Sequence, residues 1–123
     1  EKIFLDRSDS TNNHCQIENN NEVIDFLNKK GFTSYKVGQL SFEQQIHLFK
    51  NAKIIVGAHG AAFANLAFCS PETQVIEIKP IHHPNYASKT IGKINDLKVK
   101  IIETPKFKNY NINLNINELN KNL

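Results

Sequence analysis

Residues 53–57, which read Lys-Ile-Ile-Val-Gly, are the feature that most constrains the fold. Three consecutive β-branched residues predict a strand. The run has no alternating polar positions, which indicates burial on both faces, as for a central strand of a parallel sheet covered by helices. The segment therefore predicts an α/β architecture.

Strand-like and helix-like segments alternate along the rest of the chain. Strands are predicted at residues 2–6, 32–37, 53–57, 74–78 and 99–103. Helices are predicted at residues 21–30, 42–51, 61–68 and 86–95, and over the tail from residue 116. Asn20 or Asn21 is the predicted N-cap of the first helix. Ser41 and Gln44 have capping-box spacing, and Gly31 has the helix-ending position. The alternation predicts a three-layer αβα Rossmann-like fold whose mostly parallel sheet has about five strands.

Composition limits the domain organisation and the class of protein. The 123 residues are 40% hydrophobic and carry a net charge of +3, with scattered lysines. We expect one domain over residues 1–123, with residues 110–123 as a C-terminal tail or helix, no nucleic-acid partner and no membrane span. The two cysteines exclude a disulfide framework and a Cys-rich zinc site. Because the chain opens on Glu1 and at once on a strand, we expect it to be a piece of a longer protein.

Arg7 is the single arginine among 15 basic residues and follows the first predicted strand. A guanidinium binds phosphate or carboxylate with a fork of donors that lysine does not have. The residue therefore predicts an anion contact at the carboxyl edge of the sheet, where ligands bind in such folds. The alternative is an ordinary surface arginine.

The loop after the central strand is the second candidate for anion binding. Gly57 and Gly60 allow a sharp turn and close approach to a ligand, and the N–H groups from Gly60 to Ala62 would point outward at a helix start. His59 stands beside them as a donor. The loop lacks the patterns of NAD-binding sites and P-loops. Its residues favour a phosphate or nucleotide site, and the alternative is a small-residue turn that packs helix on sheet.

A longer pattern surrounds this loop. Residues 57–65 read Gly-x-His-Gly-Ala-x-x-x-Asn, and a proline turn, a strand and a glutamate follow. Together with the preceding helix, the opening strand and its arginine, this pattern resembles the family 61 glycosyltransferases. The likeness covers most of the chain.

The resemblance implies the donor-binding C-terminal lobe of a GT-B transferase. Such a lobe binds a nucleotide sugar for transfer to a polysaccharide or glycan acceptor, with inversion, without a metal or other cofactor, and together with an N-terminal lobe missing here. Bacterial members of the family make capsular polysaccharide. That parallel implies a cytoplasmic protein, either free or associated with the membrane, whereas a eukaryotic member would lie in the secretory lumen.

The resemblance also implies roles for individual residues. His59 is the implied catalytic residue. The implied donor and diphosphate contacts are Arg7, Gly57, His59, Gly60, Ala61, Asn65 and Glu77. Asn65 either positions the loop or touches the sugar, and Glu77 either binds ribose or holds the loop. The chain departs from the family at Gln16, where a second basic residue is usual, and His14 is the nearby candidate to replace it.

Other hypotheses stay open at this point. The domain could be a noncatalytic nucleotide-binding module of a larger assembly, or a hydrolase that uses His59 on a phosphodiester. His82 and His83 could bind a metal, Cys69 could be a nucleophile, and Asp6 could form an ion pair with Arg7. The alternatives for His82 and His83 are a donor-site loop or a solvated turn. The alternative for Cys69 is a packed thiol, and the alternative for Asp6 is a base.

Overall fold

The computed structural model describes residues 1–10, 14–81, 83–105 and 111–123. The strands are β1 (Lys2–Leu5), β2 (Thr33–Tyr35), β3 (Ile54–Ala58), β4 (Gln74–Pro80) and β5 (Lys98–Thr104). The α-helices are α1 (Asn20–Lys29), α2 (Phe42–Asn51), α3 (Ala87–Ile94) and α4 (Ile116–Asn122). Two 3₁₀ segments, Val37–Gln39 and Ala61–Phe68, complete the elements.

The five strands form one all-parallel sheet in the order β2-β1-β3-β4-β5, with β3 at its centre. From β1 the chain moves outward to β2, and from β3 it moves in the opposite direction to β4. The carboxyl ends of β1 and β3 therefore flank a topological switch point, the place where open α/β sheets bind ligands. This arrangement confirms the predicted Rossmann-like α/β fold.

Alternate side chains along the strands enter two separate cores. Phe4, Val56 and Ile76 pack with Val23 and Leu27 of α1 and with α4 on one face. The other face consists of Ile3, Leu5, Ile55 and Val75, packed against α2, the Ala61–Phe68 segment and α3. Both faces of the sheet are covered, which is the physical reason that residues 54–56 are uniformly apolar.

Local sequence signals set several helix ends. The Ser41 hydroxyl accepts a hydrogen bond from the Gln44 N–H at 3.1 Å, and the Gln44 side chain accepts one from the Ser41 N–H at 2.8 Å. This is the predicted capping box. Gly31 follows α1 with φ at +88°, a left-handed conformation that glycine adopts without strain.

Three local predictions were wrong in detail. The second strand ends at Tyr35, because Val37 begins a 3₁₀ turn. The residue at the N-cap of α1 is Asn19 rather than Asn20 or Asn21. The predicted helix over residues 61–68 has the expected bounds but 3₁₀ winding, and the Asn95 side chain donates to the carbonyls of Leu66 and Ala67 near its end.

The C-terminal segment is tied to the loop before α1. Ile17 and Ile112 form a parallel bridge. The Asn19 amide donates to the Leu114 carbonyl at 2.8 Å and accepts from the Leu114 N–H at 2.9 Å. These long-range bonds explain why Asn19 does not cap its helix with its side chain. Among the described residues, no helix is both long and apolar enough to cross a membrane.

Candidate functional site

Arg7 and the Gly60 turn meet at the switch point of the sheet. Arg7 lies two residues beyond β1, and Gly60 lies two residues beyond β3. A small cavity of about 410 Å³ lies on the β1–β2 side of Arg7, against Val37 and Gly38. A large cavity of about 570 Å³ lies on the β3–β4 side, beside the start of α3. Arg7 and Ala61 line both cavities, so the two form adjacent parts of one crevice.

One half of the Arg7 guanidinium is committed to the protein. Its Nη1 donates to the carbonyls of His59 at 2.8 Å, His14 at 3.0 Å and Cys15 at 3.1 Å. Its Nη2 and Nε have no acceptor among the described residues. Burial lowers the pKa of Arg7, although an arginine remains charged at any physiological pH. Arg7 thus joins two loops with one nitrogen and keeps two donors for a ligand.

Gly60 is needed because Arg7 occupies the space beside it. A Cβ atom on Gly60 would lie 2.6 Å from Arg7 Nε. Its backbone φ of 173° is extended and open to any residue, so the glycine supplies room rather than an unusual turn. Gly57 is different: it belongs to β3, where a Cβ would lie 3.0 Å from the Leu5 Cβ, and it lines neither cavity.

The backbone after Gly60 presents free donors. The N–H groups of Gly60, Ala61 and Ala62 have no acceptor within the described part of the chain. They open the 3₁₀ segment Ala61–Phe68, whose peptide dipoles place positive charge at this end. Together with the outward donors of Arg7, they make a place for an anion.

His59 is oriented by a buried carboxylate. Its Nδ1 lies 2.9 Å from Glu77 Oε2, and the Ser88 hydroxyl donates to Glu77 Oε1 at 2.7 Å. Glu77 is 1% exposed and His59 13% exposed. Because a carboxylate accepts only, Nδ1 carries the hydrogen and Nε2 is left for other contacts. Both Glu77 oxygens are engaged, which favours the loop-holding alternative for this residue over ribose binding.

A second histidine pair lies against His59. The His83 ring is tilted over the His59 ring with 4.4 Å between centroids, and His83 Nε2 lies 3.2 Å from His14 Nε2. The Asn85 N–H donates to His83 Nδ1 at 3.3 Å, which places the His83 hydrogen on Nε2, facing His14. Burial, and then electrostatic interaction with His59 and His14, lower the pKa of His83.

His14, Cys15 and His83 are the residues in the described ranges that come close enough to hold a metal ion, with ligand atoms within 4.8 Å of one another. The chemistry around them fits a hydrogen-bonded pair better. A metal would need the Nε2 lone pair of His83, which the Asn85 N–H disfavours. Burial raises the pKa of Cys15 despite the nearby Arg7 and Lys79 cations, so its sulfur holds little of the thiolate that binds metals. His82 lies outside the described residues, so the predicted pairing of His82 with His83 has no structural test here.

The cysteines are buried thiols. Burial raises the pKa of Cys69 to about 12 and also raises that of Cys15. A thiol with a raised pKa holds little thiolate, and thiolate is the nucleophile. The packed-thiol alternative for Cys69 is therefore the better interpretation.

Two other predicted side chains bond to neighbouring parts of the protein. The Asn65 amide donates to Gln45 of α2 at 2.8 Å, which favours a positioning role over contact with a sugar.

Asp6 makes no ion pair with Arg7 in the described structure. Its Oδ1 instead accepts from the Ser8 N–H and the Asn20 amide, so the carboxylate shapes its own loop. The Gln16 N–H donates to the Asn111 side chain at 3.0 Å, and the Gln16 carbonyl accepts from the Ile112 N–H at 2.8 Å.

Sequence reasoning assigned no role to Ser88 or Lys79. Ser88 bonds Glu77 from the start of α3. Lys79 is 1% exposed, donates to the Asn85 carbonyl at 2.7 Å, and has its ammonium 3.1 Å from the centre of the Tyr86 ring. For Lys79, the available signal was a lysine at the end of a buried strand. Ser88 carried none, because only the packing of α3 on the sheet brings it to Glu77.

Comparison with known protein families identifies the family of this chain. Residues 1–76 match the model of glycosyltransferase 61, from β1 through the Arg7 loop and the Gly60 turn into β4. The chain belongs to glycosyltransferase family 61. A search of curated proteins finds no match. The family assignment gives the domain a role in glycosyl transfer, and the matched range includes Arg7 and the N–H groups of Gly60, Ala61 and Ala62.

Proposed function

We propose that this glycosyltransferase domain binds the diphosphate of a nucleotide-sugar donor between Arg7 and the Gly60 turn, for transfer of the sugar to a glycan or polysaccharide acceptor. The observation that carries the proposal is that the nitrogen atoms of Arg7 differ in their hydrogen-bond partners. Nη1 holds three loop carbonyls, while Nη2 and Nε have no acceptor among the described residues. Arg7 lines the crevice together with Gly60 and Ala61.

Charge explains how such a site assists transfer. As the sugar departs, negative charge grows on the terminal phosphate. Fixed donors already aimed at that position stabilise it without reorganising. Arg7 and the N–H groups of Gly60 and Ala61 supply these donors, so the proposed reaction is metal-independent. In the proposed inverting course, an acceptor hydroxyl attacks the anomeric carbon as the bond to the nucleoside diphosphate breaks, so no covalent intermediate forms on this chain. The hydroxyl proton passes to a base on the N-terminal lobe, which would also bring the acceptor.

His59 is the proposed catalytic residue of this domain. Because Glu77 accepts the Nδ1 hydrogen, Nε2 is the ring atom available to the ligand. In its protonated form, Nε2 donates a hydrogen bond to the leaving phosphate. Ser88 holds the second Glu77 oxygen and so prevents the carboxylate from turning away.

An NMR titration of the domain with UDP, GDP and CMP tests the proposal. We expect one nucleotide to shift the amide signals of Gly60 and Ala61. Arg7→Lys should weaken its binding about tenfold, or roughly 1.4 kcal/mol, because one ammonium cannot serve both the carbonyls and the phosphate. Lys50→Arg, an exposed exchange on α2, is the control and should bind as the wild type does.

Two results would overturn the proposal. One is the absence of any shift at the Gly60 turn with all three nucleotides at millimolar concentration. The other is equal affinity of the wild type and Arg7→Lys, which would mean that the guanidinium serves the loops alone.

A further inference from the structure

The two cavities beside Arg7 differ in chemistry. We propose that the donor lies along the sheet edge with its nucleoside in the large cavity, over β3 and β4, and its sugar in the small cavity, over β1 and β2. The diphosphate bridges them at Arg7. This orientation rests on the proposed function and adds the placement of the two ends of the donor.

Carboxylates distinguish the small cavity. Asp6 and Asp9 both line it. Asp6 is occupied by its own loop, whereas Asp9 is exposed and has no hydrogen-bond partner among the described residues. A carboxylate repels a phosphate but accepts hydrogen bonds from sugar hydroxyls, and bonds to a charged acceptor are among the stronger ones. The charge therefore favours a sugar at this end.

Gly38 keeps the small cavity open next to Asp9. A Cβ atom on Gly38 would lie 3.5 Å from Asp9 Oδ2, within ordinary contact distance. Beside Gly38 and Asp9, the cavity is lined by the apolar residues Val37 and Leu5. A lining that is partly polar and partly apolar suits a pyranose ring, which has hydroxyls at its edge and C–H groups on its face.

The large cavity suits a nucleoside. Phe63, Ala64 and Ile91 give it an apolar wall for a base. The carboxylate that lines it, Glu77, has both oxygens engaged by His59 and Ser88 and so repels a nearby phosphate less than a free one. Its volume of about 570 Å³ exceeds the 410 Å³ of the small cavity, which matches the larger half of the donor.

Paired NMR titrations test the orientation on the same chain. The first uses UDP, and the second uses UDP-N-acetylglucosamine or UDP-xylose, whichever binds more tightly. We expect UDP to shift the amides of Ala64, Ala87 and Ile91. The sugar conjugate should add shifts at Asp9 and Gly38 that UDP alone does not produce. If GDP or CMP is the nucleotide that binds, its own sugar conjugate replaces these probes.

Two variants sharpen the test. Asp9→Asn should weaken binding of the sugar conjugate about tenfold, because it removes a charged acceptor from the small cavity. It should not weaken UDP binding, because the lost charge, which also acts on Arg7, is one that repels phosphate. Gly38→Ala should act in the same direction by narrowing the small cavity. Asp25→Asn, an exposed change on α1, is the matched control and should alter neither affinity.

The outcomes separate the two proposals. Binding of UDP with added shifts at Ala87 and Ile91, rather than at Asp9, would overturn the orientation and leave the donor site standing. Equal losses of UDP and conjugate affinity in Asp9→Asn would do the same. Failure of every nucleotide to bind the wild type would overturn both.

Discussion

Arg7 Nε lies 2.6 Å from the position that a Cβ atom on Gly60 would occupy. The single arginine and the second glycine of the loop are therefore one structural unit, although 52 residues separate Arg7 from the adjoining His59 carbonyl that it binds. The guanidinium lies where it does because residue 60 has no side chain. The carbonyls of His14 and Cys15 then hold it there.

Gly60→Ala should displace Arg7 and lower nucleotide affinity at least about tenfold. The added methyl pushes against a side chain whose Nη1 is held by three carbonyls, so the domain should also lose about 1–3 kcal/mol of unfolding free energy. Isothermal titration with the nucleotide and urea unfolding measure the two effects. Gly38→Ala, where the new Cβ meets only ordinary contacts, should leave nucleotide affinity unchanged. Nucleotide affinity that survives Gly60→Ala would contradict the coupling of these residues.

Asn19→Leu should destabilise the domain by about 2–4 kcal/mol, because it leaves the N–H and the carbonyl of buried Leu114 without partners. Asn19→Asp keeps an acceptor for the N–H but loses the donor, so its effect should be smaller. Thermal and urea unfolding provide the comparison. Equal stability of Asn19→Leu and the wild type would mean that the C-terminal segment is not held by this pair.

Stability should fall on acidification because of His83. Its pKa is lowered in the folded state, first by burial and then by His59 and His14. The unfolded chain therefore binds more protons than the folded one as the pH falls below about 6.5, the ordinary histidine value. Stability is fully present above that value and is lost progressively below it, until the folded pKa is passed.

Melting temperatures between pH 5 and pH 8 measure this dependence. His83→Gln should flatten the curve below pH 6.5, whereas His47→Gln, on the exposed side of α2, should leave its slope unchanged. A slope that is equally steep in His83→Gln and the wild type would assign the acid sensitivity to other groups.

Glu77→Gln should change the hydrogen position on His59. In the wild type the carboxylate holds the hydrogen on Nδ1, while an amide can present either a donor or an acceptor to that atom. Imidazole ¹⁵N shifts should report a single tautomer in the wild type and a mixture in Glu77→Gln. Ser88→Ala removes only the support of the carboxylate, so it should retain the wild-type tautomer. An unchanged tautomer in Glu77→Gln would show that Glu77 does not orient the ring.

The order of the elements and the place of the site could be read from local patterns. The apolar run at β3, the Ser41 capping box and Gly31 each act over a few residues, and the structure has each of them as predicted. The carboxyl edge of the sheet followed from strand alternation alone. Prediction failed where a distant partner outcompeted the local one, as at Asn19, whose amide bonds Leu114 and not its own helix.

The sequence by itself determined an α/β domain with an arginine and a glycine-rich turn at one edge of a parallel sheet, because periodicity and strand direction are local properties of the chain. Only the tertiary structure decided what each group at that edge does. Arg7 commits one nitrogen to three carbonyls, Glu77 orients His59, and Asn65 turns to α2. The physical reason is that a hydrogen-bonding side chain is assigned its role by the partners that packing brings within about 3 Å, and those partners lie far away in the sequence.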